Sequence, residues 1–121
     1  MPYITTEQVK EKRILIKKAL PEYKFSIRRE HGTSIDISIL EGPINLMDGS
    51  EHRSYVQVNQ FYIKDHYADR PEIAKVLQTV YQIASSEQRE LVYDGDYGSV
   101  PNYYVSINIG QWNRPFKQIQ A

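Results

Sequence analysis

A chain of 121 residues, 40% of them hydrophobic, has enough apolar side chains for one core and not for two. Its 15 Lys and Arg are balanced by 15 Asp and Glu, which removes the positive field that a general nucleic-acid binder needs. The absence of cysteine excludes a disulfide framework, no run approaches the roughly 20 apolar residues of a membrane span, and the amino terminus lacks the form of a signal peptide, so the cytoplasm is the expected address.

The first predicted element is a helix. Thr5 and Gln8 form a capping box, in which the threonine hydroxyl accepts from an orphan amide and the glutamine reaches back. Val9, Ile16 and Leu20, with Leu15 and Ala19 beside them, supply an apolar stripe, and Pro21 stops the helix. The period then becomes two. Tyr23, Phe25 and Ile27 alternate with Lys24, Ser26 and Arg28, and Ile35, Ile37 and Ile39 alternate with Ser34, Asp36 and Ser38. Residues of one face oppose each other, so Ile35, Ile37 and Ile39 are expected opposite Ile27, Phe25 and Tyr23. That register leaves a loop Glu30-His31-Gly32, whose third position takes a left-handed backbone.

A polar stretch with turn signals at Gly42-Pro43 and Asp48-Gly49 leads to a third strand near Ser54 to Asn59. Asp69 is the expected cap of a second helix, with Pro71 and Glu72 in its first turn. Ile73, Val76, Leu77, Val80, Ile83 and Ala84 form its apolar face. After a polar loop from about Ser85 to Pro101, Tyr103, Val105, Ile107 and Ile109 mark a last strand. The tail from Gly110, with Trp112 and Phe116, is expected to add a short edge strand or to pack across the sheet. No repeat or linker divides the chain, so residues 1–121 read as a single domain. The fold class is α+β, in the order α-β-β-β-α-β. An antiparallel sheet of at least four strands is expected, with both helices on one face and Phe25, Ile27, Ile35, Ile37, Val58, Val76, Leu77, Val80, Val105 and Ile107 in one core.

No reaction centre emerges from the residues, so the chain is not read as an enzyme, and an uncharacterised enzyme ranks third behind a binding protein and a nucleic-acid-binding module. His31, His52 and His66 lack zinc-ligand spacing, and Asp94-Gly95-Asp96-Tyr97-Gly98 lacks the acids of a calcium loop, its twelfth position being Val105. Neither a metal nor a cofactor is expected. Two surfaces are candidates for binding. The ten tyrosines include Tyr55 and Tyr104, which with Gln57 project from the sheet face opposite the helices and suit a protein partner or self-association. Residues 1–31 hold eight Lys or Arg against four acids, and Lys10, Arg13, Lys17 and Arg28 form the alternative, a basic patch for phosphate. The order of elements is also that of a double-stranded-RNA-binding domain, but Asp69-Arg70-Pro71-Glu72 places two carboxylates where such a domain meets phosphate. A protein partner is therefore expected over nucleic acid.

Three segments point to a family. Tyr3-Ile4-Thr5-Thr6-Glu7-Gln8-Val9, then Leu20-Pro21-Glu22-Tyr23-Lys24-Phe25-Ser26-Ile27-Arg28, then Ser34-Ile35-Asp36-Ile37-Ser38 with Gly42-Pro43 resemble the large polyvalent protein-associated domains over about the first 45 residues. Such domains occur in large fused proteins of phages and conjugative elements and as small stand-alone proteins. The resemblance implies an accessory role on a mobile element, in establishment or counter-defence. It carries no catalytic residue over to this chain.

Overall fold

The computed structural model describes residues 3–47, 55–59, 62–88, 90–92, 99–111 and 113–119. Helix α1 spans Thr6–Ala19 and opens on the expected capping box, with the Gln8 amide on Thr5 Oγ1 at 3.0 Å and the Thr5 amide on Gln8 Oε1 at 2.9 Å. Its inner stripe is Val9, Lys12 and Ile16, while Leu15 and Ala19, expected beside it, are exposed. Lys12 sits three residues after Val9 and four before Ile16, so its aliphatic stem shares their stripe.

Strands β1 (Lys24–Glu30) and β2 (Ser34–Gly42) pair as an antiparallel hairpin. The register differs from the expected one by a slide of two residues, placing Ile37 opposite Ile27 and Ile39 opposite Phe25. A two-residue slide keeps every side chain on its own face, so alternation does not distinguish the two registers. The turn decides between them. Both His31 (φ 54°) and Gly32 (φ 72°) are left-handed, and the Thr33 amide donates to the Glu30 carbonyl at 3.1 Å. Two positive φ values at the centre of a closed turn are the mark of type I′, which matches the strand twist. The register pairs Glu30 with Ser34, so the connecting residues are His31-Gly32-Thr33, the first two at the centre of the turn. A Cβ on Gly32 would stand 2.9 Å from Arg29 Nη2. Gly32→Val is expected to cost about 1–2 kcal/mol in urea unfolding, with Gly32→Asn retaining most of the stability; equal stability of Gly32→Val and wild type would refute this reading of the turn.

Strand β3 (Val56–Val58) is followed by α2 (Ile63–His66), a single turn that periodicity does not signal, and by α3 (Pro71–Ala84). The cap of α3 is Arg70 instead of the expected Asp69, and its side chain makes no cap hydrogen bond. Pro71 at the first helical position forces an extended backbone on residue 70, so the helix cannot begin earlier. The expected polar loop after α3 holds a small antiparallel hairpin, β4 (Glu90–Val92) with β5 (Ser99–Pro101). Strand β6 (Tyr104–Ile109) and the two-residue β7 (Lys117–Gln118) follow, so of the two arrangements open to the tail it adds a strand.

The main sheet has the order β1-β2-β6-β3, with β7 added alongside β2. The α+β class and the four-strand minimum hold, but the sheet is mixed and not antiparallel throughout. β6 enters between β2 and β3 and runs parallel to β2, pairing Ile35 with Val105, Ile37 with Ile107 and Ile39 with Ile109. β2 and β6 pair Ile35, Ile37 and Ile39 with Val105, Ile107 and Ile109, and the centre of the sheet buries that surface on both flanks. The connection between them, which carries α3, is long enough for the crossover that parallel neighbours require. The inner residues of the four strands meet Val9 and Ile16 of α1 and Ile73, Val76, Leu77 and Val80 of α3 in one cluster, so both long helices cover one face. All ten residues expected in the core lie in that cluster or, for Phe25, pack against it. Leu46 and Met47, within a stretch that reads as polar, are buried there as well.

Candidate functional site

The second face of the sheet carries no helix. Register fixes which side chains meet there. Ser26 of β1, Ser38 of β2, Asn108 of β6 and Gln57 of β3 are successive partners and form one row across four strands. The adjoining row is Arg28, Asp36 and Ser106, and the next is Glu30, Ser34 and Tyr104. A hollow of about 600 Å³ lies over the first two rows and is lined also by Tyr55, Gln111, Asn113 and Arg114. Of these side chains, only Asp36 takes part in a side-chain hydrogen bond among the described residues, accepting from Ser34 Oγ at 3.0 Å. No ion pair engages Arg28 or Arg114 there.

The structure therefore brings Tyr55 and Gln57 into the hollow and leaves Tyr104 outside it. Tyr55 precedes the Val56–Ile109 pair and lies level with Gly110, while Tyr104 begins β6 at the other end. Six residues of strand separate the two levels, roughly 20 Å. Both rings are exposed, at 44% and 47%. Gln111, Asn113 and Arg114 were not foreseen as part of the site. Gly110 (φ 78°) turns the chain, and Gln111 and Arg114 close the turn by exchanging backbone hydrogen bonds of 2.8 and 3.0 Å, which carries the tail along the rim. Gly110, at the end of β6, is the sequence signal that the chain turns there.

The four residues of the alternative basic patch are divided. Lys10, Arg13 and Lys17 are exposed on α1, and Arg13 Nη2 donates to the Ile27 carbonyl at 2.8 Å, on the free edge of β1. Arg13 and Lys17, with Lys24, flank a smaller cleft of about 270 Å³ over Tyr23, Phe25 and Ile27. Arg28 projects from the opposite face, into the hollow.

Other polar groups have structural partners. The Tyr103 hydroxyl, fully buried just before β6, donates to the Ala84 carbonyl at 2.6 Å, and burial pushes its pKa up to about 12. Lys12 Nζ meets Glu87 Oε1 at 2.7 Å and Ser86 Oγ at 3.1 Å. Hydrogen bonds from Lys12 and then Gln8 hold the Glu87 carboxyl below the usual glutamate range. His31 stands 3.4 Å from the Glu30 carboxylate, and His66 stacks on Tyr62. His52, Trp112 and the run Asp94 to Gly98 lie outside the described residues. Among the described residues, no group of three or more His, Asp or Glu is arranged to hold a metal ion, and no helix is long and apolar enough to cross a membrane.

A family model, large polyvalent protein associated domain 29, matches residues 3–97. The match extends well beyond the 45 residues that carry the resemblance in the sequence, and takes in both long helices and the first four strands. Neither a curated protein nor a solved structure matches the chain.

Proposed function

Because the chain belongs to the large polyvalent protein associated domain 29 family, we propose that it is a small accessory protein of a phage or other mobile element that acts by binding, with the open sheet face as its working surface. The observation that carries this reading is the row Ser26, Ser38, Asn108 and Gln57. It lies in a concavity and makes no side-chain hydrogen bonds among the described residues. Polar side chains aligned at strand spacing, next to an exposed tyrosine, supply hydrogen-bond specificity together with contact area at low entropic cost. The alternative basic patch is favoured less, since Arg13 serves the β1 edge and Arg28 lies on the other face of the sheet from Lys10 and Lys17.

The test compares wild type with Tyr55→Ala/Gln57→Ala and with Lys10→Ala/Lys17→Ala. Both pairs are exposed, so unfolding free energies are expected to stay within about 1 kcal/mol of wild type. Partners captured from host cells at matched protein levels are expected to be lost from the sheet-face variant and kept by the helix variant. The reverse pattern would move the working surface to α1. In that case affinity for duplex DNA should fall with salt at about 0.9 log units per log unit for each phosphate neutralised.

A further inference from the structure

We infer that the open sheet face is a track for single-stranded nucleic acid, with a base stacked on Tyr55, its hydrogen-bonding edge met by Gln57 and Asn108, and backbone phosphate held between Arg28 and Arg114. This rests on the proposed use of that face and names its partner. Three observations converge on it.

The first is charge. The chain is neutral, yet the hollow holds two arginines free of ion pairs among the described residues, against one carboxylate, Asp36, which already accepts from Ser34. A ligand that completes this site brings negative charge, and a guanidinium fork suits phosphate. The second is the pair Gln57 and Asn108, register partners on adjacent strands. Each amide offers a donor and an acceptor side by side, the pattern displayed by an unpaired base edge. The third is length. Tyr104 offers a second exposed ring roughly 20 Å along β6 from the level of Tyr55, farther than one free nucleotide reaches. Two aromatic platforms at the ends of a polar strip suit a strand of several nucleotides, whose bases are available to stack only when unpaired.

The probe is a fluorescein-labelled ten-nucleotide single strand of mixed sequence, as DNA and as RNA, titrated by anisotropy at low salt. Unlabelled mononucleotides and a duplex of the same sequence serve as competitors. A single strand is expected to bind, and the duplex and mononucleotides to compete at least tenfold more weakly. Tyr55→Ala and Tyr104→Ala should each weaken binding by about 5- to 150-fold, as expected for loss of one stacked base. Arg28→Ala/Arg114→Ala should flatten the log–log salt slope by about 0.7, one phosphate at the single-strand value. Circular dichroism melts of each variant separate lost binding from lost folding. Duplex binding as tight as single-strand binding, competition by mononucleotides at equal concentration, or tyrosine variants that bind as wild type would each overturn the assignment. So would absence of single-strand binding by a chain whose sheet-face variant still loses a captured protein. That outcome would leave the open face as the working surface and make its partner a protein.

Discussion

Leu77→Ala is expected to lower the unfolding free energy by about 2–5 kcal/mol, the range for truncating a buried leucine. Leu77 is fully buried, at the middle of α3 and within the cluster that joins the helices to the isoleucines of β2 and β6. The cost has two parts: the transfer free energy of the lost methyl groups and the cavity left behind. The cluster that holds Leu77 consists mostly of β-branched Ile and Val with few accessible rotamers, so the cavity is expected to close poorly and the cost to fall in the upper half of the range. Leu77→Met keeps the volume and should cost less than about 1.5 kcal/mol. Urea denaturation with a common m-value measures both. A loss below about 1 kcal/mol for Leu77→Ala would contradict the placement of α3 on the sheet.

Glu87→Ala is expected to cost about 2–4 kcal/mol, more than Lys12→Met. The Lys12 side chain is 2% exposed and that of Glu87 is 44% exposed, so the pair joins a buried ammonium to a carboxylate at the surface. Removing the carboxylate leaves the ammonium buried with Ser86 Oγ as its remaining hydrogen-bond partner. Lys12→Met removes the charge together with its need for a partner, keeps the stem that packs between Val9 and Ile16, and leaves Glu87 to solvent. A change within about 1.5 kcal/mol is expected. The pair also sets a pH dependence. The Glu87 carboxyl titrates below the usual range in the folded chain, so the unfolded chain binds more protons as acid is added. The stabilisation is fully present above the ordinary glutamate pKa, about 4.3, and is lost as the pH falls through the lower folded value. Stability curves of wild type and Glu87→Gln should therefore converge only as the pH falls below the lowered folded pKa of Glu87. Parallel curves down to acid unfolding would show that the ion pair contributes nothing.

Local elements were legible wherever a single segment carries its own reason to form. The capping box of α1, the apolar face of α3 and the alternation of β1, β2 and β6 are complete within their own residues, and each stands where periodicity puts it. What depends on a distant partner was not legible. Lys12 looks like a surface lysine because the carboxylate that allows its burial lies 75 residues away. The hairpin register was legible only modulo two, since His31 shares the left-handed conformation that sequence reading assigns to Gly32 alone. The parallel placement of β6 follows from competition among strands for the central position, and no single strand encodes it. The candidate site divides in the same way. Tyr55, Gln57 and Arg28 follow from alternation, whereas Gln111, Asn113 and Arg114 reach the hollow through a turn in the tail, and Tyr104 shares their face without sharing their hollow.

The late position of β6 has a consequence for how the chain is made. β1 and β2 form a hairpin from neighbouring residues, but the strand that completes the sheet between β2 and β3 is residues 104–109. Some sixty residues, 43 to 103, are translated between the end of β2 and the start of β6. At about 5–20 residues per second the inner edge of β2 waits roughly 3–12 s for its partner, with Ile35, Ile37 and Ile39 only half covered. An uncovered isoleucine-rich edge is a template for misassembly on the ribosome. Nascent-chain stalls before residue 104 should therefore be protease-sensitive and bound by chaperones, with both properties disappearing once β6 has cleared the exit tunnel.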